Sequence, residues 1–129
     1  MRICIFGAGA IGGMIGSLLK KNGVNVTLIA RGEHYSQIKK NGLVFKSKEF
    51  DLDICQKFDI QENIDNLGHF DLLINGLKAH SANSTAEHVS KLMHKNSIIL
   101  PTLNGVPWWF FYKHQSKYKN YILQAVDPN

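Results

Sequence analysis

The sequence predicts an α/β domain with a mainly parallel sheet and helices on both faces. Three observations predict it. Short apolar runs alternate with stretches of helical periodicity, the pattern of strands joined by helical crossovers. The first apolar run, residues 2–6, leads at once into Gly7-Ala8-Gly9-Ala10-Ile11-Gly12, and that GxGxxG leads into a helical pattern. Finally, Arg31, Lys78 and Asn104 each follow a predicted strand. In sheets of the Rossmann type, doubly wound, ligands gather at those strand ends. Residues 1–129 therefore read as one Rossmann-type domain, long enough to bury a core.

Each element follows from its residues. Residues 2–6 (RICIF) form the first strand. Ile11, Met14, Ile15, Leu18 and Leu19 recur at helical spacing up to Asn22-Gly23, and Gly23 is suited to close the helix. Residues 24–29 (VNVTLI) are the second strand, and residues 33–40 a short helix stopped near Asn41-Gly42. Residues 43–54 are two strand fragments about the polar turn Ser47-Lys48-Glu49, one of them a candidate addition to the main sheet. Residues 56–68 are polar and weakly patterned, which predicts a loop with a partial helical turn. Residues 71–75 (DLLIN) return to a buried strand. A helix over residues 81–93 places Ala82, Ala86, Val89 and Met93 on one face; Ser84-Thr85-Ala86-Glu87 matches a capping box and allows a later start. Residues 97–100 (SIIL) are the next strand, ended by Pro101, and a turn-rich loop runs to Pro107. Trp108-Trp109-Phe110-Phe111-Tyr112 is expected to make one or two helical turns, and residues 121–126 a last strand.

Composition excludes several classes. Apolar residues make up 44% and charged residues 19%, as in a globular chain rather than a disordered one. No apolar run approaches the roughly 18 residues of a membrane span. The chain starts on a strand without a basic-then-apolar leader, and Cys4 and Cys55 form no metal or redox motif, so a cytoplasmic location is expected. The net charge of +5 is spread over scattered lysines without an RNA-binding aromatic motif or zinc-finger spacing, so no nucleic-acid partner is expected. Six histidines lack the spacing of a helical zinc site; surface positions are expected for them, and no metal.

The chemistry lies in four places. Gly7 permits a tight turn, Gly9 lets the backbone approach a pyrophosphate, and Gly12 lets the helix pack close to the strand. The helix N-terminus then presents N–H groups and a positive dipole end to phosphates. The alternative, a glycine turn without a ligand, leaves the entropy cost of three glycines unexplained. An Asp or Glu about twenty residues beyond such a turn binds a free ribose 2′-hydroxyl. Here residues 29–32 read IARG, so a guanidinium stands where the carboxylate would be. Arg31 suits a 2′-phosphate, which selects NADP(H) over NAD(H); a merely exposed arginine is the alternative. Lys78 at a strand end is either solvated or directed at an anion in the crevice. Asn104, taken alone, is better explained as a turn former before Gly105.

GAGAIGG near the N-terminus, LIARG after the second strand, LKA after the fourth and LNGVPWWFF after the fifth are together similar to the ketopantoate reductases, 2-dehydropantoate 2-reductases. The resemblance covers nearly the whole chain in order. It implies an oxidoreductase that uses NADPH to reduce 2-dehydropantoate to pantoate, in pantothenate biosynthesis. It also implies roles by position. Gly7, Ala8, Gly9, Ala10, Ile11 and Gly12 would hold the pyrophosphate and Arg31 the 2′-phosphate. Lys78 would reach cofactor and crevice, and Asn104 would lie near the nicotinamide ribose and bind the small 2-keto acid substrate.

Two departures set further expectations. The family often carries a glutamine three residues after the crevice lysine, where this chain has Ser81, preceded by His80. The family also has a second, helical domain that supplies the general acid, and no residue here takes that role. The chain is therefore expected to be the cofactor-binding half, binding nucleotide but reducing the ketone poorly alone. A non-catalytic nucleotide-binding or interaction module is the alternative. Apolar surface including Trp108 and Trp109 is expected to favour a homodimer.

Overall fold

A computed structural model of the chain describes residues 1–78, 82–102, 104 and 110–122, without the side chains of residues 82–84. Its centre is a five-stranded sheet, and every strand pairing in it is parallel. The elements run β1 Ile3–Phe6, α1 Ala10–Lys21, β2 Val26–Ile29, α2 Gly32–Asn41, β3 Leu43–Ser47, β4 Leu52–Gln56, β5 Asp59–Gln61, β6 Phe70–Asn75, α3 Ala82–Lys91 and β7 Met93–Pro101. The sheet order is β5-β2-β1-β6-β7. The chain winds outward from β1 through β2 to β5, then returns to the other side of β1 for β6 and β7. That reversal between β1 and β6 is the topological switch point of a doubly wound sheet.

β1 is buried along its whole length because both its faces are covered. Ile3 and Ile5 point to one face, where Val26, Leu28, Ile38 and Leu43 share their cluster and Ile15 and Leu19 of α1 pack against it. Cys4 and Phe6 point to the other, with Ile29, Phe70, Leu73, Val89 and Leu92. α1 and α2 thus cover one face and α3 the other. Each fully buried Ile, Leu or Phe contributes about 1.5–3 kcal/mol relative to exposure. The start of β1 is tied down separately. The Arg2 N–H donates to Asp71 Oδ2 at 2.6 Å, and its guanidinium donates to the carbonyls of His69 and Leu67.

α1 ends as expected at Gly23. The N–H groups of Val24 and Gly23 donate to the carbonyls of Leu19 and Lys20, and Gly23 has φ +79°. Its buried face follows the expected stripe only in part: Ile15 and Leu19 pack against the core as expected. Gly12, Gly13, Gly16 and Ser17 lie against the sheet, while Ile11 is exposed. With that face turned to the sheet, Ile11 is directed outward.

Several other expectations are corrected. β3 and β4 form an antiparallel hairpin of their own and neither joins the main sheet. The place beside β2 is taken by β5, inside the stretch expected to be a loop. The Thr27 hydroxyl donates to Asp59 Oδ2 at 2.8 Å and fixes that pairing. α3 starts at Ala82, so Ser84 lies within the helix rather than at its cap. Met93 begins β7 instead of ending the helix. Residues 110–113 form turns, and 121–122 are not in a strand; the remainder of the expected last strand, residues 123–126, lies outside the described residues. So do His80, Ser81, Trp108 and Trp109. No helix among the described residues is long and apolar enough to cross a membrane.

Candidate functional site

The site is built where β1, β2 and β6 end. Gly7 leaves β1 with φ +102°, a conformation that favours glycine. Its N–H donates to the carbonyl of Ile29 at 3.0 Å, tying the turn to the end of β2. Gly9 then caps α1 with φ −69° and ψ −165° and has no side chain to satisfy the helix start. Among the described residues, nothing beyond its own chain neighbours lies within 4 Å of the place where a Cβ on Gly9 would stand. The first turn of α1 holds no acidic residue, and Ala10 and Ile11 are exposed. The positive end of the helix therefore opens outward without a competing carboxylate on that turn.

Gly12 has the opposite surroundings. A Cβ there would meet the carbonyl oxygen of Gly7 at 2.0 Å. A Cβ on Gly76, just past β6, would meet the same oxygen at 2.7 Å and the Gly12 Cα at 3.2 Å. The Gly76 N–H donates to the carbonyl of Phe6 at 3.0 Å. Three glycines from three segments thus let β1, α1 and β6 close up beneath the open turn.

Arg31 caps α2 in extended backbone and is exposed. Its neighbours are held on both sides. The Ala30 N–H donates to the carbonyl of Gln61 at 3.1 Å, and the Gly32 N–H donates to Glu62 Oε1 at 2.6 Å. The start of α2 is therefore satisfied by a carboxylate arriving from the end of β5. Gly32 has φ +59°, so glycine suits that bend.

A cavity of about 300 Å³ lies over this corner. Gly7, Ala8 and Gly9 of the glycine turn and Arg31 and His34 at the start of α2 line it. Phe6, Ile29, Ala30, Leu77 and Thr85 supply the rest. Among its described lining residues there is no carboxylate, and the fixed charge they carry is the Arg31 cation. Its apolar floor, cationic wall and helix N-terminus fit a flat heterocycle carrying phosphates.

The expected residues divide into two groups. Gly7, Ala8, Gly9 and Arg31 come together around the cavity, with Gly12 as the close-packing member beneath it. Ala10 and Ile11 stand exposed on the adjoining first turn of α1. Lys78 and Asn104 are exposed beyond the ends of the adjacent strands β6 and β7 and do not line the cavity. Those strand ends are joined: the Thr102 N–H and hydroxyl both donate to the carbonyl of Asn75, at 3.1 and 2.9 Å. The Asn75 side chain in turn accepts the Leu77 N–H at 3.2 Å, shaping the turn that leads to Lys78.

The pattern of the ketopantoate reductase PanE/ApbA family matches residues 3–123. The chain belongs to this family. A 2-dehydropantoate 2-reductase of Mesorhizobium japonicum is 33% identical over 129 residues, covering 99% of this chain and 39% of the relative. One from Lactococcus lactis is 34% identical over 107 residues, covering 82% of this chain and 34% of the relative. Among solved structures, a candidate ketopantoate reductase from Ralstonia solanacearum superposes with a TM-score of 0.89 at 32% identity, covering 99% of this chain and 39% of that one. A D-mandelate dehydrogenase solved with NADH and anilino(oxo)acetate superposes with a TM-score of 0.70 at 31% identity, covering 82% of this chain and 34% of that one. The chain spans about 39% of the length of the Mesorhizobium relative.

Four residues of the corner escaped the sequence reading. Gly76 carries no motif of its own, and its role appears only when β6 is placed beside β1. Glu62 reaches Gly32 across thirty residues. Thr85 comes from the opposite helix layer. His34 was expected at a generic surface position, yet it follows Arg31 at a spacing of three, which puts both on one side of a helix start.

Proposed function

We propose that this chain binds NADP(H) across the carboxyl ends of β1, β2 and β6 and serves as the cofactor-binding part of an NADPH-dependent 2-dehydropantoate 2-reductase. The observation that carries this reading is the open start of α1 beside Arg31. Space stands free at Gly9, the backbone is clamped at Gly12, and the guanidinium shares the same cavity. Backbone N–H groups of the α1 start would hold the pyrophosphate. Arg31 would hold the 2′-phosphate with its planar fork.

The cofactor, when bound, supplies the hydride. The chain's own residues orient it and handle charge. Lys78 and Asn104, beyond β6 and β7, would face the nicotinamide ribose and the carboxylate and keto oxygen of a small 2-keto acid. A cation and an amide there would stabilise negative charge as it develops on the ketone oxygen. The proton donor would come from the helical domain implied by the family resemblance, and residues 1–129 would supply the nucleotide site.

Titration of the chain with NADPH and NADH, followed by nicotinamide fluorescence, tests the reading. NADPH should bind more tightly, and Arg31→Ala should weaken NADPH about tenfold or more while leaving NADH nearly unchanged. Equal affinity for both, unaffected by Arg31→Ala, would refute the selectivity.

A further inference from the structure

We propose that His34 is a second specificity-determining residue, joining Arg31 on the 2′-phosphate and making the preference for NADPH depend on pH. The proposal rests on the cofactor reading above. Arg31 is the cap of α2 and His34 lies in its first turn, three residues on. A side chain at that spacing lies over the helix start rather than across the helix from it. Both residues line the cavity that begins at the glycine turn. A guanidinium and an imidazole lining one cavity, with no carboxylate among its described lining residues, form a receptor for a phosphate monoester rather than for a ribose hydroxyl.

The charged groups around His34 leave this role open to it. On its own element these are Arg31 and Glu33, both exposed. From the end of β5 comes Glu62, whose carboxylate is engaged by the Gly32 N–H at 2.6 Å. Among the described residues, the glycine turn and Thr85 bring no titratable charge to the cavity.

The sign of the pH effect follows from linkage. A phosphate monoester is largely a dianion above its second pKa of about 6. An imidazole facing it is easier to protonate in the complex than in the free protein. The contribution of His34 is then full on the acid side and is lost as pH rises through the value in the complex. Between about pH 6.5 and 8.5 the phosphate can only gain negative charge, which would strengthen its binding to cations, so a fall in NADPH preference over that range reports on the imidazole.

The test is calorimetric titration of the full chain with NADPH and NADH at several pH values, for the parent, His34→Gln, His34→Lys and Arg31→Ala. In the parent, the ratio of NADPH to NADH affinity should fall several-fold, up to about tenfold, from pH 6.5 to 8.5. His34→Gln should lower the ratio at pH 6.5 to its high-pH value and flatten the profile. His34→Lys should keep the ratio high and also flatten it. If His34→Gln weakens NADPH and NADH equally while Arg31→Ala remains selective, His34 packs against the adenine and the phosphate role is wrong. A parent profile that is already flat overturns it as well. If the parent binds neither nucleotide, the cofactor reading falls and takes the His34 role with it.

Discussion

A methyl group on Gly12 would stand 2.0 Å from the carbonyl oxygen of Gly7. Neither partner can yield cheaply, because both are backbone and Gly7 is tied to Ile29. Gly12→Ala should therefore push α1 off β1. Overpacking of this kind costs roughly 1–3 kcal/mol. Thermal unfolding should show the loss, and nucleotide affinity should fall with it. A variant as stable as the parent would mean the helix can sit further from the strand than described.

Gly9→Ala separates binding from folding. The position has open space and an ordinary φ of −69°. The change at the cap should cost under about 1 kcal/mol of stability. The added carbon nevertheless enters the space over the α1 start, so NADPH affinity should fall about tenfold or more. Unchanged affinity in a folded variant would remove the proposed pyrophosphate from this turn.

Much of the fold could be read from the chain because it is local. The run from β1 through Gly7 and α1 to β2 is set by contiguous pattern, and β6 and the core of β7 are apolar enough to declare themselves. β5 could not be read. It has three residues, of which only Ile60 is buried, and its strand character comes from pairing with β2. The start of β7 was hidden for a related reason. His94 and Ser97 look like loop residues, yet the Ser97 hydroxyl donates to the Phe70 carbonyl at 2.6 Å and accepts the His94 N–H. At the site, the glycine motif and Arg31 were visible, whereas Gly76, Glu62 and Thr85 acquire meaning only through partners remote in sequence.

The two thiols should differ in reactivity. Burial, with a smaller contribution from the Asp59 carboxylate, pushes the Cys4 thiol up to about 12. Cys55 is exposed. A thiol reagent near pH 8 should modify one cysteine per native chain and two after denaturation, since only the thiolate reacts. Rapid modification of both in the native protein would contradict a central, doubly covered β1.

Asp71 should contribute to acid sensitivity. The Arg2 N–H, then His94, hold its carboxyl below the usual carboxylate range. A lowered value in the folded state means stability that is present above about pH 4 and is lost as pH falls through the folded value. The gap in melting temperature between the parent and Asp71→Asn should be widest near neutrality and close below about pH 4. A gap that persists undiminished at lower pH would show that the ionised carboxylate is not what ties β6 to the chain start.

The most direct measurement is backbone amide NMR of the chain during NADPH addition. A second cavity, near 380 Å³, lies at the opposite ends of the strands and is lined by Arg2, Asn25, Thr27 and Asp59 among others. It offers the nucleotide a rival location. On binding, the amides of Gly9, Ala10, Ile11, Gly12 and Arg31 should shift while those of Asn25, Thr27 and Asp59 stay in place. Shifts confined to the second group would contradict a nucleotide site at the glycine turn.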